Sequence, residues 1–193
     1  MPTEISGSTG VNKIQDNTIV NADINSSAAI ANSKLVGAGG ITHMDTWRMS
    51  PNFSATTIVP ITGWISHTGA NVAHIGTAMS HSSGLFTFPT TGIWKVSALF
   101  NIYSGSDARQ QEGRIVTTAN NGGSYQTIST VDMNLNQGDE GSNVHSSGHC
   151  EAIFDITDTA NQKVRFEGGG TASVNWYGGG GRFNVTFMRL GDT

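Results

Sequence analysis

The sequence predicts an all-β protein, a sandwich or jelly-roll knob carried on an extended N-terminal arm, and three observations predict it. Residues 93–103, IWKVSALFNIY, place Trp94, Val96, Ala98, Phe100 and Ile102 on one side of an alternating run, the pattern of a strand packed on a core. Turn residues punctuate the chain at short intervals after residue 40, which is the spacing of many short strands. Before Gly37 neither the strand nor the helix period is present.

The arm comes first in the chain, over residues 1–40. Single large aliphatics stand at Ile14, Ile19, Ile24, Ile30 and Leu35, and no Phe, Trp or Tyr precedes Trp47. The spacings of five and six match neither 3.6 nor 2.0. So thin an apolar content cannot offset the entropy of ordering the segment alone. The arm is expected to order only against copies of itself or a partner surface, with a short helix over AAIANSKL capped by Ser26 or Ser27. Gly37, Gly39 and Gly40 make a flexible joint.

The knob is expected over residues 41–193. Beyond the run at 93–103, alternation recurs at Ala152, Phe154 and Ile156, at Val164 and Phe166, and at Phe183, Val185 and Phe187. Turns are expected at 89–92 (PTTG), 120–123 (NNGG), 136–139 (NQGD), 158–161 (DTAN), and at the glycine runs 168–170 and 178–181. Asn121-Gly122 between RIVTT and SYQTIS reads as a hairpin. No amphipathic helix of useful length is expected after residue 40.

Composition narrows the function. Only 12% of the residues are charged, about half the usual share of about 25%. Polarity comes instead from Ser, Thr and Asn, 58 of 193 residues, beside 25 Gly. Ten Lys and Arg, scattered singly, form no stripe for a phosphate backbone, so nucleic acid is not expected as a partner. No apolar run is long enough to span a bilayer, and MPTEISGSTG lacks the form of a signal peptide. A single cysteine, Cys150, implies no disulfide framework. Synthesis in a cytosol is the expectation.

No catalytic or cofactor site is expected. His67, His74 and His81 recur every seven residues, so on a strand they would not converge. His145 and His149 share a spacing of four, but the intervening Ser-Ser-Gly argues against a strand, and two ligands fall short of a zinc site. Exposed loop histidines are the reading, with a ring of one histidine per subunit as the metal alternative. Asp107, Glu112, Asp132, Asp139, Glu140, Asp155 and Asp158 are expected mostly at turns rather than as a glycosidase pair. Calcium at Asp139 and Glu140 stays open as an alternative. No phosphate loop or nucleophile elbow is present.

The residues GLFTFPTTGIWKVSALFNI (84–102) resemble the central signature of tumour-necrosis-factor-like jelly rolls of the complement-q type. Phe86, Phe88, Gly92 and Trp94 fall on its Phe-x-Phe, Gly and aromatic positions, and GGRFNVTFMRLGD is similar to the final strand. The early strands are faint in WRMSPNFSATTIVPITGW. The resemblance implies a homotrimer about a threefold axis, with the inner sheet's outer face packed there. Leu99 and Tyr103, large for a water-facing side, and Ile153 and Met188, which alternate against core residues, are the expected interface.

DNTIVNADINSSAAIANSKL resembles the low-complexity attachment segments of bacteriophage tail fibres and other appendages, and the collagen-like stalk of animal relatives is absent. The expected protein is a homotrimeric, non-enzymatic virion component, made in the host cytoplasm and docked on other virion proteins through Ile14, Ile19, Ile24, Ile30 and Leu35. The alternatives are a receptor-binding tip for a host surface glycan or protein, and a polysaccharide depolymerase.

Overall fold

The computed structural model describes residues 40–67, 73–136 and 142–193. The five aliphatics of the expected arm, and Asp139 with Glu140, lie outside the described residues.

Thirteen strands follow one another among the described residues: β1 (Met44–Met49), β2 (Phe53–Ala55), β3 (Val59–Pro60), β4 (Trp64–Ser66), β5 (Ser80–Ser82), β6 (Leu85–Thr87), β7 (Gly92–Ser104), β8 (Ala108–Thr118), β9 (Gln126–Leu135), β10 (Val144–Ile156), β11 (Lys163–Gly170), β12 (Val174–Trp176) and β13 (Asn184–Gly191). They form two antiparallel sheets, and no helix occurs among the described residues. The first sheet runs β2-β12-β7-β13-β1-β4, with β10 on the other edge of β7. The second runs β5-β6-β11-β8-β9, with β3 also on β11. This is the jelly-roll sandwich that the alternating segments predict.

The inward side chains explain why the sheets pack. Val96, Ala98, Phe100 and Ile102 of β7 are fully buried, as are Phe86, Phe166, Phe183 and Phe187. Burying each such large apolar side chain stabilises the fold by roughly 1.5–3 kcal/mol. The aromatic rings meet edge to face: Trp64 lies 5.3 Å from Phe166 and 5.4 Å from Phe183, centroid to centroid. That geometry favours the ring quadrupoles.

Four expectations need correction. The run 168–170 is not a turn but the end of β11, where Gly168 pairs with Gly113. Glycine is needed there for close approach, because a Cβ on Gly168 would stand 2.8 Å from the Trp176 ring. Ser-Ser-Gly at 146–148 does not interrupt a strand: β10 passes through it, with Gly148 opposite Phe100. His145 and His149 are therefore strand residues, not loop residues. Glu112, Asp132 and Asp155 also lie on strands, while Asp107 and Asp158 lie between them.

The chain enters and leaves the knob at one pole. Arg189 gathers the two ends there: its Nε donates to Thr91 O at 2.9 Å, its Nη1 to Thr42 Oγ1 at 3.3 Å, and its Nη2 pairs with Asp192. The loops 119–125 and 157–162 share this base, joined by the Asn121 amide donating to Asn161 O at 3.0 Å. The opposite pole, the apex, carries the loops after β1, β7, β9, β11 and β12. There Gly179 N donates to Met49 O at 2.8 Å and Gly178 N to Asn52 Oδ1 at 2.7 Å.

Candidate functional site

The two sheets present different outer faces. On the second sheet, Glu112 pairs with Arg114, and Arg165 pairs with Glu167. Arg114 lies opposite Glu167 in register, and Arg165 covers the Tyr125 ring at 3.3 Å. A face so charged and internally paired is already suited to water.

The outer face of the first sheet is largely uncharged. Residues directly opposite in an antiparallel pair share a face, so the register fixes its rows. One row runs His149 (β10), Leu99 (β7), Asn184 (β13), Arg48 (β1), Ile65 (β4). The next runs Glu151, Ser97, Thr186, Thr46, and His67 continues it by donating its amide to Thr46 O at 3.0 Å. Toward the base the next row runs Ile153, Lys95, Met188, Met44. All four expected interface residues thus lie on one face. Leu99, Tyr103 and Met188 are half-buried by their strand neighbours, and Ile153 is 66% exposed.

Polar groups on this face mostly satisfy one another across strands. Lys95 Nζ lies 2.7 Å from Glu151 Oε2, and that hydrogen bond, before the nearby charges of Lys95 and His149, holds the Glu151 carboxyl below its ordinary range. Asn101 Nδ2 donates to Ser147 Oγ at 2.7 Å. Toward the apex, Tyr103 stacks on His145 with centroids 5.4 Å apart and meets Tyr177 edge-on at 5.3 Å. Asn52 Nδ2 donates to the Tyr103 hydroxyl at 3.1 Å, and the Arg182 guanidinium lies 4.7 Å above the Tyr177 ring. The sequence marked Tyr103 but not His145, Tyr177 or Arg182 as its companions.

The histidines do not gather into a metal site: among the described residues no cluster of three or more His, Cys, Asp or Glu could hold an ion. His81 packs on Trp47 and Phe86 instead, with centroids 5.0 and 5.1 Å away. At the apex, a cavity of about 340 Å³ is lined by Asp107, Arg109, Asn134, Leu135 and Asn136. Another of about 340 Å³ lies on the outer face of the first sheet, beside β1 and β4, and is lined by Arg48, His67, Gly180 and Gly181.

No family model matches the chain, and no curated protein matches its sequence. Solved structures do match in fold. The Eiger TNF of S. frugiperda superposes with a TM-score of 0.59 at 11% identity, covering 80% of this chain and 96% of that one. Murine APRIL superposes with a TM-score of 0.55 at 9% identity, covering 77% and 98%. The knob therefore has the TNF-like jelly-roll fold.

Proposed function

We propose that the chain is a homotrimeric structural protein of a bacteriophage particle, a fibre knob or capsid decoration attached through its N-terminal arm. The observation that carries the trimer is the contrast between the two outer faces. Two charged pairs lie on the second sheet's face, whereas Leu99, Tyr103, Met188 and Ile153 share the first sheet's, with Lys95–Glu151 as its ion pair. Three copies closing about a threefold axis would bury the outer face of the first sheet and leave that of the second in water. The TNF-like fold supports this association. The phage assignment rests on the arm, whose sparse aliphatics suit docking on a larger surface. The reading is non-enzymatic.

A second reading, a receptor-binding tip for a host surface glycan or protein, is favoured by the apical cavity at Asp107 and Arg109, at the pole away from the chain's entry. The fold does not choose between the two, because function resides in sites rather than folds. Immunogold labelling of purified particles tests the proposal: label at a fixed position on capsid or tail is expected. A protein absent from purified particles would refute it.

A further inference from the structure

We propose that a pocket at the apical end of the second sheet, formed by Thr56, Thr57, Ile58, Gln110, Glu112 and Thr171, binds a neutral pyranose sugar through two neighbouring hydroxyls. The pocket measures about 280 Å³, with the Gly170 backbone completing its wall. It opens on the side of the sheet that Glu112 shares with Arg114 and Glu167. The trimer reading leaves that side in water. The proposal goes beyond that reading and holds whether or not the copies associate.

Local structure builds the walls. Residues 56–58 carry the chain from β2 in the first sheet to β3 in the second. They close over β11 because Gly169 has no side chain: a Cβ there would collide with Thr57 O. The opposite wall is a bulge, where the register of β8 on β9 shifts between Ala108 and Gln111. A bulge re-aims the side chain that it carries. Gln110 takes a φ of 50° there, a conformation that glycine adopts far more readily. Strained conformations of this kind cluster where ligands are held. Thr171 ties the bulge to the end of β11, its amide donating to Gln110 O at 3.3 Å and its hydroxyl to Arg109 O at 2.9 Å.

The ligand chemistry follows from these groups. No lysine, arginine or histidine lines the pocket, so nothing in its wall attracts an anion. Its one charged group, Glu112, already pairs with Arg114, whose Nε donates to Oε2 at 2.9 Å. One carboxylate so engaged is too few ligands for calcium. Arg114 nevertheless orients Oε1 as an acceptor, which the Gln110 amide reaches at 3.5 Å. The hydroxyls of Thr56 and Thr57 have no hydrogen-bond partner among the described residues. A carboxylate oxygen that only accepts, beside hydroxyls and an amide that also donate, matches a vicinal diol. Ile58, half-buried, offers an apolar surface to the C–H side of the ring.

The test uses the full chain, titrated with methyl glucoside, methyl galactoside, tetrahydropyran and inorganic phosphate while the backbone amide resonances are followed. At least one glycoside is expected to shift the amides of Thr57, Gly170 and Thr171 saturably, in the millimolar range of a single small ring. Tetrahydropyran, the ring without hydroxyls, and phosphate should leave them unmoved. Glu112→Gln should weaken the glycoside by about tenfold, the scale of a hydrogen bond to a charged group. Gln110→Gly separates binding from architecture, and it serves if the Glu112 variant does not fold. Glycine suits the φ of 50°, so the melting temperature should hold or rise, while affinity falls by about fivefold with loss of the amide. Light scattering on the same samples reads the oligomer independently, so a monomeric chain that binds would count against the trimer and not against the site. Glycosides that leave all three amides unmoved, tetrahydropyran or phosphate that shifts them equally, or variants that bind as before would each overturn the assignment.

Discussion

A Cβ placed on Gly113 would stand 2.6 Å from Cδ2 of Phe100, so the β8 backbone rests directly on that ring. The two residues lie on different sheets, and the contact sets the local distance between them. Phe100→Ala is expected to cost about 3–5 kcal/mol, the scale for a buried Phe. Gly113→Ala should cost about 1–3 kcal/mol by overpacking. In the double variant the added methyl enters the space that the ring has left, so the double variant should cost less than the two single costs added together. Urea denaturation of the four proteins measures this, and strict additivity would place Gly113 away from the ring. Phe187→Ala should resemble Phe100→Ala, since it is equally buried.

Cys150 should be unreactive in the native protein. Burial pushes its thiol above the ordinary range, outweighing the hydrogen bonds from Ser129 and the Ile115 backbone. Since the thiolate is the nucleophile, labelling by a thiol reagent at neutral pH should be slow and should become complete in denaturant. Rapid labelling of the folded protein would contradict the burial.

The loop 157–162 should respond to acid. The Asp158 carboxyl is held below its ordinary range, first by the Asn161 side chain and next by the Ala160 amide, which donates at 2.9 Å. A depressed folded value means that its contribution is present above the unfolded Asp value of about 3.9 and is lost as pH falls through the folded value. Following the Asp158 carboxyl by NMR should give a midpoint below that of an unfolded peptide, and Asp158→Asn should remove this part of the acid response. A midpoint at or above the peptide's would mean that the loop's hydrogen bonds do not form in solution.

The sandwich was legible where strands are long and half-buried. On β7, the apolar residues at even positions are the ones that reach the core, and Phe154, Phe166 and Phe187 follow the same rule. The first strands were faint because β2, β3 and β4 span only two or three residues each, too few for a period to show. Glycine misled twice. At 168 and 148 it makes room for Trp176 and for Val131 and Met133 across the sandwich, a tertiary demand that turn rules do not contain. The Arg48 pocket had no local signal, because its parts come from β1, the end of β4 and the loop before β13. The one hint was the 178–181 run, which holds more glycine than a short turn requires.

Truncation before Gly39 should leave a folded knob, because every core residue named above lies after it. On the proposed reading that protein keeps its mass as a trimer but no longer joins the particle. Normal incorporation of the truncated chain would show that Ile14, Ile19, Ile24, Ile30 and Leu35 do not anchor it.

The central claim is that the outer face of the first sheet is buried between copies, and the mass of the Leu99→Asp, Tyr103→Asp double variant tests it most directly. Both residues face outward from β7, and Tyr103 also holds the His145 and Tyr177 rings. Closing a trimer over them would bury unpaired carboxylates at each position, a cost of several kcal/mol for each unless they are neutralised. Light scattering should give a trimer for the native chain and a folded monomer for the variant. A variant that stays a trimer of native stability, or a native chain that is itself monomeric, would contradict the account.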